Sequence, residues 1–100
     1  MKVYVAGKIT GLDRDSVIRK FENARNKLVV MGHDVFIPTV LPVYDNVSHK
    51  DYMHVCFAMI DICDAIYLLD DWKDSKGACK EYKYAKRKKK LCLNLTEDCL

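Results

Sequence analysis

The chain has 100 residues, 50% of them hydrophobic and 31% charged, with a net charge of +3. With no linker, internal repeat or low-complexity segment, it reads as one soluble globular domain over residues 1–100. No apolar run approaches the roughly 20 residues of a membrane span and MKVYVAG lacks a signal-peptide layout, so a cytoplasmic protein with no membrane attachment is expected.

Five cysteines, Cys56, Cys63, Cys79, Cys92 and Cys99, are an odd number without a CxxC pair, which favours reduced thiols over a disulfide framework. His33, His49 and His54 show no spacing that would join them to those cysteines as metal ligands. Neither a metal nor a cofactor is therefore expected.

The first element is a short strand of Val3, Tyr4, Val5 and Ala6 that ends at Gly7, and Gly7 with Gly11 permits a tight loop. The spacing is not G-x-G-x-x-G, so a dinucleotide site is poorly supported. Asp13 or Asp15 caps the next helix, whose stripe is Val17, Phe21, Ala24, Leu28 and Met31 and whose end is Gly32. A second strand over residues 34–37 stops at Pro38, and the stretch to Val47 reads as a loop or lid over a site. Ser48 and Asp51 have capping-box spacing ahead of a second helix carrying Tyr52, Val55, Met59 and Ile62 at helical intervals.

The uncharged run at residues 65–69 has the pattern of a strand buried on both faces, after which Asp74 or Ser75 starts a third helix. Helical side chains lean toward the N-terminus, so the Glu81 carboxylate projects over Gly77 and Ala78. That leaves an open floor beside unpaired N–H donors, suited to a small anionic ligand such as a sugar phosphate. The ordinary alternative is that Gly77 only permits close packing and Glu81 is solvated. The basic run Lys86, Arg87, Lys88, Lys89 and Lys90 reads as a solvated helix end favoured by the helix dipole, rather than as a nucleic-acid surface. Residues 91–95 form a last strand and residues 96–100 a tail.

The order β-α-β-loop-α-β-α-β predicts an α/β fold, a doubly wound parallel sheet of about four strands with helices on both faces. Such sheets bind ligands beyond the carboxyl ends of their strands where the winding reverses, here between Gly7 and Asp70 and facing Ser75 and Glu81.

Tyr4, Gly7, Ile9, Thr10 and Gly11 look like an opening Y-x-x-G-x-I-T-G pattern. Gly32-His33, Pro38, Asp64-Ala65 and Trp72 agree with the same family, and Ser75, Gly77 and Glu81 match S-x-G-x-x-x-E. Over nearly its whole length the chain resembles the nucleoside 2-deoxyribosyltransferase-like proteins, in particular a short branch related to 2′-deoxynucleoside 5′-monophosphate N-glycosidases. The resemblance implies a flavodoxin-like, Rossmann-like fold. It implies chemistry at the N-glycosidic bond of a deoxynucleoside or its 5′-monophosphate, with Glu81 as nucleophile and a covalent deoxyribosyl ester as intermediate. Tyr4, Gly7, Ile9, Gly11, Asp70, Trp72, Ser75 and Gly77 would bind the substrate, with Tyr4 and Trp72 at the nucleobase. It also implies a homo-oligomer whose neighbour closes the site.

Ser75 stands where the family's transferases carry an aspartate and its monophosphate hydrolases a serine, which points to a phosphorylated ligand. Two positions depart from the pattern. Cys56 occupies a place where relatives carry an aspartate that supports nucleophile and leaving base, and Lys8 stands where they often have proline. Asp70 and Asp71 are either substitute acids or formers of the turn after the strand. Besides an enzyme, a binding module that has lost turnover fits these departures, and a nucleic-acid-binding protein is the weaker third reading.

Overall fold

In a computed structural model, which describes residues 1–94, four parallel strands form one sheet in the order β2-β1-β3-β4. They are β1 (Lys2–Ala6), β2 (Asp34–Phe36), β3 (Ala65–Leu68) and β4 (Leu91–Leu93). The chain winds outward from β1 to β2, returns past β1 to β3, and continues to β4, so the winding reverses between β1 and β3. The predicted parallel α/β architecture is the one observed. The last strand and the second are each shorter than the sequence suggested, and the tail expected at residues 96–100 lies outside the described residues.

Alternation along β1 builds two cores. Val3 and Val5 face helix α1 (Arg14–Val30) and pack with Val17, Phe21, Ala24 and Leu28, while Tyr4 and Ala6 point to the opposite face. There they meet Cys56 and Ile60 of α2 (His49–Ile62) and Ala78 and Ala85 of α3 (Lys76–Arg87). β3 is buried on both faces for the same reason, with Ala65 in one core and Ile66 and Leu68 in the other.

The helix ends follow the sequence closely. Asp13 caps α1 through the Ser16 N–H, and Ser48 and Asp51 form the reciprocal capping box of α2. α1 closes with the Gly32 N–H donating to the Val29 carbonyl and the His33 N–H to the Leu28 carbonyl. Gly32 supplies the positive φ of 94° that this closure needs. Met31, expected on the buried stripe, is instead the C-cap and is exposed, because the chain turns away there.

The phase of α2 differs from the expectation. Met53, Cys56 and Ile60 are its buried residues, while Val55 and Ile62 are exposed. From Tyr52 to Ile62 apolar side chains lie all round the helix, so spacing alone could not select a face. Packing against Tyr4 and α3 selected it.

Candidate active site

A cavity of about 620 Å³ opens beyond the carboxyl end of β1, on the face covered by α2 and α3. Three segments wall it: residues 7–10 after β1 with Arg14, the short 3₁₀ turn Pro38–Val40 with Leu41, and the first turns of α2 and α3. Tyr52 donates its hydroxyl to the Pro42 carbonyl at 2.6 Å and accepts from the Tyr44 N–H at 2.9 Å, which straps the predicted lid segment to α2. Pro38 and Leu41 from that segment reach the cavity wall.

Gly7 is required by a close approach. A Cβ there would lie 2.6 Å from the Leu69 Cδ1 and 2.9 Å from its Cβ. The loop is fixed on its other side by Asp71, which accepts from the Lys8 N–H at 3.0 Å and pairs with the Lys20 ammonium at 2.5 Å. Lys20 also donates to the Lys8 carbonyl at 2.7 Å. Burial pushes the Asp71 carboxyl upward, but Lys20 and the Lys8 N–H outweigh it, and the net shift is downward. Asp71 therefore shapes the turn after β3 and clamps the loop.

Glu81 is the cavity's chemical centre. Its side chain is 6% exposed, and it accepts a hydrogen bond from the Tyr4 hydroxyl, itself fully buried on β1. Burial pushes the Glu81 carboxyl up to about 7, and the Tyr4 hydroxyl and Cys56 thiol, both hydrogen-bonded to it, hold it from going higher. Cys56, on the buried face of α2, is pushed up to about 11 by burial and by the nearby Glu81 charge, so it stays a neutral thiol at pH 7. Burial, then the Glu81 charge, likewise keeps Tyr4 a phenol.

Above this carboxylate the first turn of α3 faces the cavity. Ser75 is the N-cap and its Oγ accepts from the Ala78 N–H at 3.0 Å, so its hydroxyl proton is left to donate. The Lys76 and Gly77 N–H groups belong to the turn that has no intrahelical acceptor. A Cβ on Gly77 would sit 3.6 Å from the Met53 Sδ and 3.7 Å from the His49 Cε1, ordinary contact distances. Packing does not demand a glycine there, so its effect is to keep the floor beside Glu81 open.

Tyr4, Gly7, Ile9, Ser75, Gly77 and Glu81 thus meet around one cavity, as expected from the sequence. Gly11, Asp70 and Trp72 do not line it. Gly11 serves the turn with a φ of 83°. Asp70 is exposed beside a separate depression near Asn94, because the chain leaves β3 on the α1 side of the sheet. Trp72 is buried against Tyr82 at 4.8 Å, and its indole N–H has no partner among the described residues. The expectation that Trp72 contacts a nucleobase is therefore not met in this chain fold.

Sequence reasoning missed Arg14, His49, Tyr52 and Met53, which also line the cavity. Arg14 opens α1 directly after the β1 loop, and that position was a usable signal. The α2 residues depended on the helix phase, which the pattern did not give. Among the described residues no group of acidic, histidine or cysteine side chains is placed to hold a metal ion, and no helix is long and apolar enough to cross a membrane.

The class this arrangement defines is a doubly wound parallel α/β domain with a Rossmann-like sheet and a carboxylate-floored cavity at its winding reversal. Within that class, the chain belongs to the family described as Domain of unknown function (DUF4406), whose model matches residues 1–94. No curated protein matches it. Among solved structures it is similar to the 2-desoxiribosyltransferase from Leishmania mexicana, with a TM-score of 0.68 and 23% sequence identity. That likeness covers 92% of this chain and 61% of the other, so this chain spans under two thirds of that protein's length. At this identity the likeness establishes the fold.

Proposed function

We propose that the protein cleaves or transfers at the N-glycosidic bond of a 2′-deoxynucleoside 5′-monophosphate through a glutamyl intermediate. The observation that carries this reading is Glu81, buried at the cavity floor, hydrogen-bonded by Tyr4, and ionising near neutral pH. The Glu81 carboxylate attacks the anomeric carbon, the C–N bond breaks, and its electron pair leaves with the base, which takes up a proton. Water, or a second base, then attacks the same carbon and releases the sugar from Glu81. The 5′-phosphate sits at the first turn of α3, where the Ser75 hydroxyl and the Lys76 and Gly77 N–H groups face it, with Arg14 and Lys8 adding positive charge.

The test is a panel of deoxynucleosides and their monophosphates, with base release followed by chromatography. Release by wild type and its loss in Glu81→Gln is the expected outcome; no release across the panel, or undiminished release by the variant, rejects the reading.

Cys56 favours a second reading, a binding module without turnover, since a thiol kept neutral up to about pH 11 supplies no fixed anion to the leaving base. This version keeps nucleotide-dependent thermal stabilisation and lacks product.

A homo-oligomer is part of the proposal. Val40, Val43 and Tyr44, in and after the cavity-lining 3₁₀ turn, and Val55 on α2 are exposed apolar side chains that a second copy would cover. A reducing cytoplasmic setting suits the free thiols of Cys56, Cys63, Cys79 and Cys92.

A further inference from the structure

Helix α3 has five exposed positions, and every one is a lysine or arginine: Lys76, Lys80, Lys83, Lys86 and Arg87. The spacing of Lys76, Lys80, Lys83 and Arg87 puts them in one row along the helix, about 17 Å from first to last. Exposed Lys88 and Lys89 extend the row beyond the helix end. Among the described residues no carboxylate forms an ion pair with any of these. The helix's own glutamate, Glu81, is turned inward to the cavity.

The N-terminal part of this row does not serve the helix. Cations near a helix N-terminus oppose the dipole, and no acidic residue offsets Lys76 in the first turn. Lys76 with Lys80, and Lys83 with Arg87, are like charges one turn apart, each pair unfavourable by about 0.2–0.5 kcal/mol. Nine of the 17 lysines and arginines fall in residues 73–90 against two of the 14 acids, so the remainder of the chain is net acidic. The charge is concentrated on one face, and that face is continuous with the cavity, since Lys76 belongs both to the row and to the cavity wall.

We infer that the exposed face of α3 is a binding track for the phosphodiester backbone of single-stranded nucleic acid, running from the basic helix end to the cavity mouth. A regular row of cations matches a regular row of phosphates. A cavity of about 620 Å³ accepts one unpaired nucleotide, not a base pair held in a duplex. Half-buried Tyr82 and Tyr84 carry Lys86, Arg87 and Lys88 over their rings at 5.5–6.0 Å, which holds those cations against the helix rather than free in solution. The inference concerns binding alone and stands apart from glycosidic chemistry.

The test is fluorescence anisotropy with a labelled oligothymidylate of about 12 nucleotides. Four cation–phosphate contacts predict a slope of log affinity against log salt of about −3. The Lys80→Glu/Lys83→Glu variant, whose substitutions lie outside the cavity, weakens binding by about tenfold or more and roughly halves that slope. Arg19→Glu/Lys27→Glu, which removes the same net charge from α1, leaves affinity within about twofold. The readout is equilibrium binding and involves no base release, so its outcome and that of the monophosphate panel are independent. Equal loss in both charge variants, equal affinity for a duplex of the same length, or equally effective competition by polyglutamate overturns the assignment.

Discussion

A carboxylate taken out of water is destabilised unless donors reach it, and Glu81 has two, the Tyr4 hydroxyl and the Cys56 thiol. They do not fully compensate, so the group ionises near pH 7 rather than at the ordinary carboxyl value of 4.5. The native state therefore favours the neutral form. The resulting stabilisation is complete below pH 4.5 and is lost as pH rises through about 7, a difference of roughly 3 kcal/mol. Nucleophilic attack needs the opposite form, so activity should rise with pH over the same interval in which stability falls. The Glu81→Gln variant, uncharged throughout, should melt higher than wild type at about pH 8 and show a flatter dependence of Tm on pH between about 5 and 8, measurable by calorimetry. Cys56 is the second informative residue. A carboxylate in its place would face Glu81 as a like charge, so Cys56→Asp should move the acid limb of the pH–rate profile upward by about one unit or more. An unchanged profile would mean that the thiol position does not sense Glu81.

At the scale of elements, the two ends of α3 do different things. Its start lines the cavity. Gly77→Ala should raise helix stability by up to about 1 kcal/mol, because the site has room for a methyl group and alanine is the better helix former. The same methyl would stand on the cavity floor, so affinity for a deoxynucleoside monophosphate should fall by about tenfold or more. Gain in Tm together with loss of affinity by titration calorimetry is the signature expected. Its end closes as α1 does, with the Lys89 N–H donating to the Lys86 carbonyl and the Lys90 N–H to the Ala85 carbonyl. The residue at the turning point has a φ of 61°, and it is Lys89 rather than glycine. Lys89→Gly should relieve the left-handed strain and stabilise the protein by about 0.5–1 kcal/mol in chemical denaturation.

At the scale of the whole molecule, the sheet order β2-β1-β3-β4 puts the β1 loop and the α3 start on either side of one opening, although they lie some seventy residues apart in sequence. Exposed Val40, Val43, Tyr44 and Val55 leave apolar surface near this opening that a monomer would not cover. Light scattering coupled to gel filtration should accordingly report a mass at least twice the 11.6 kDa of the chain. A monomer at micromolar concentration would remove oligomerisation from the proposal.

What the residues determined by themselves is local. Caps such as Asp13, Ser48 and Ser75, the closing Gly32, and the alternation that buries β1 and β3 on both faces depend on neighbours within one turn or one strand. Backbone donors and side-chain period set them, and the parallel α/β order follows. The proximity of Glu81 to small residues one turn back was legible for the same reason. What only the tertiary structure decided is which faces meet. The all-round apolar α2 could not announce that Cys56 and Met53 point inward, and nothing local to Asp70 or Trp72 told that the first sits beside a separate depression on the α1 side and the second is buried against Tyr82. Those outcomes rest on competition between alternative packings of similar hydrophobic surface. Such competition is settled by shape complementarity across elements distant in sequence, a quantity no local pattern contains.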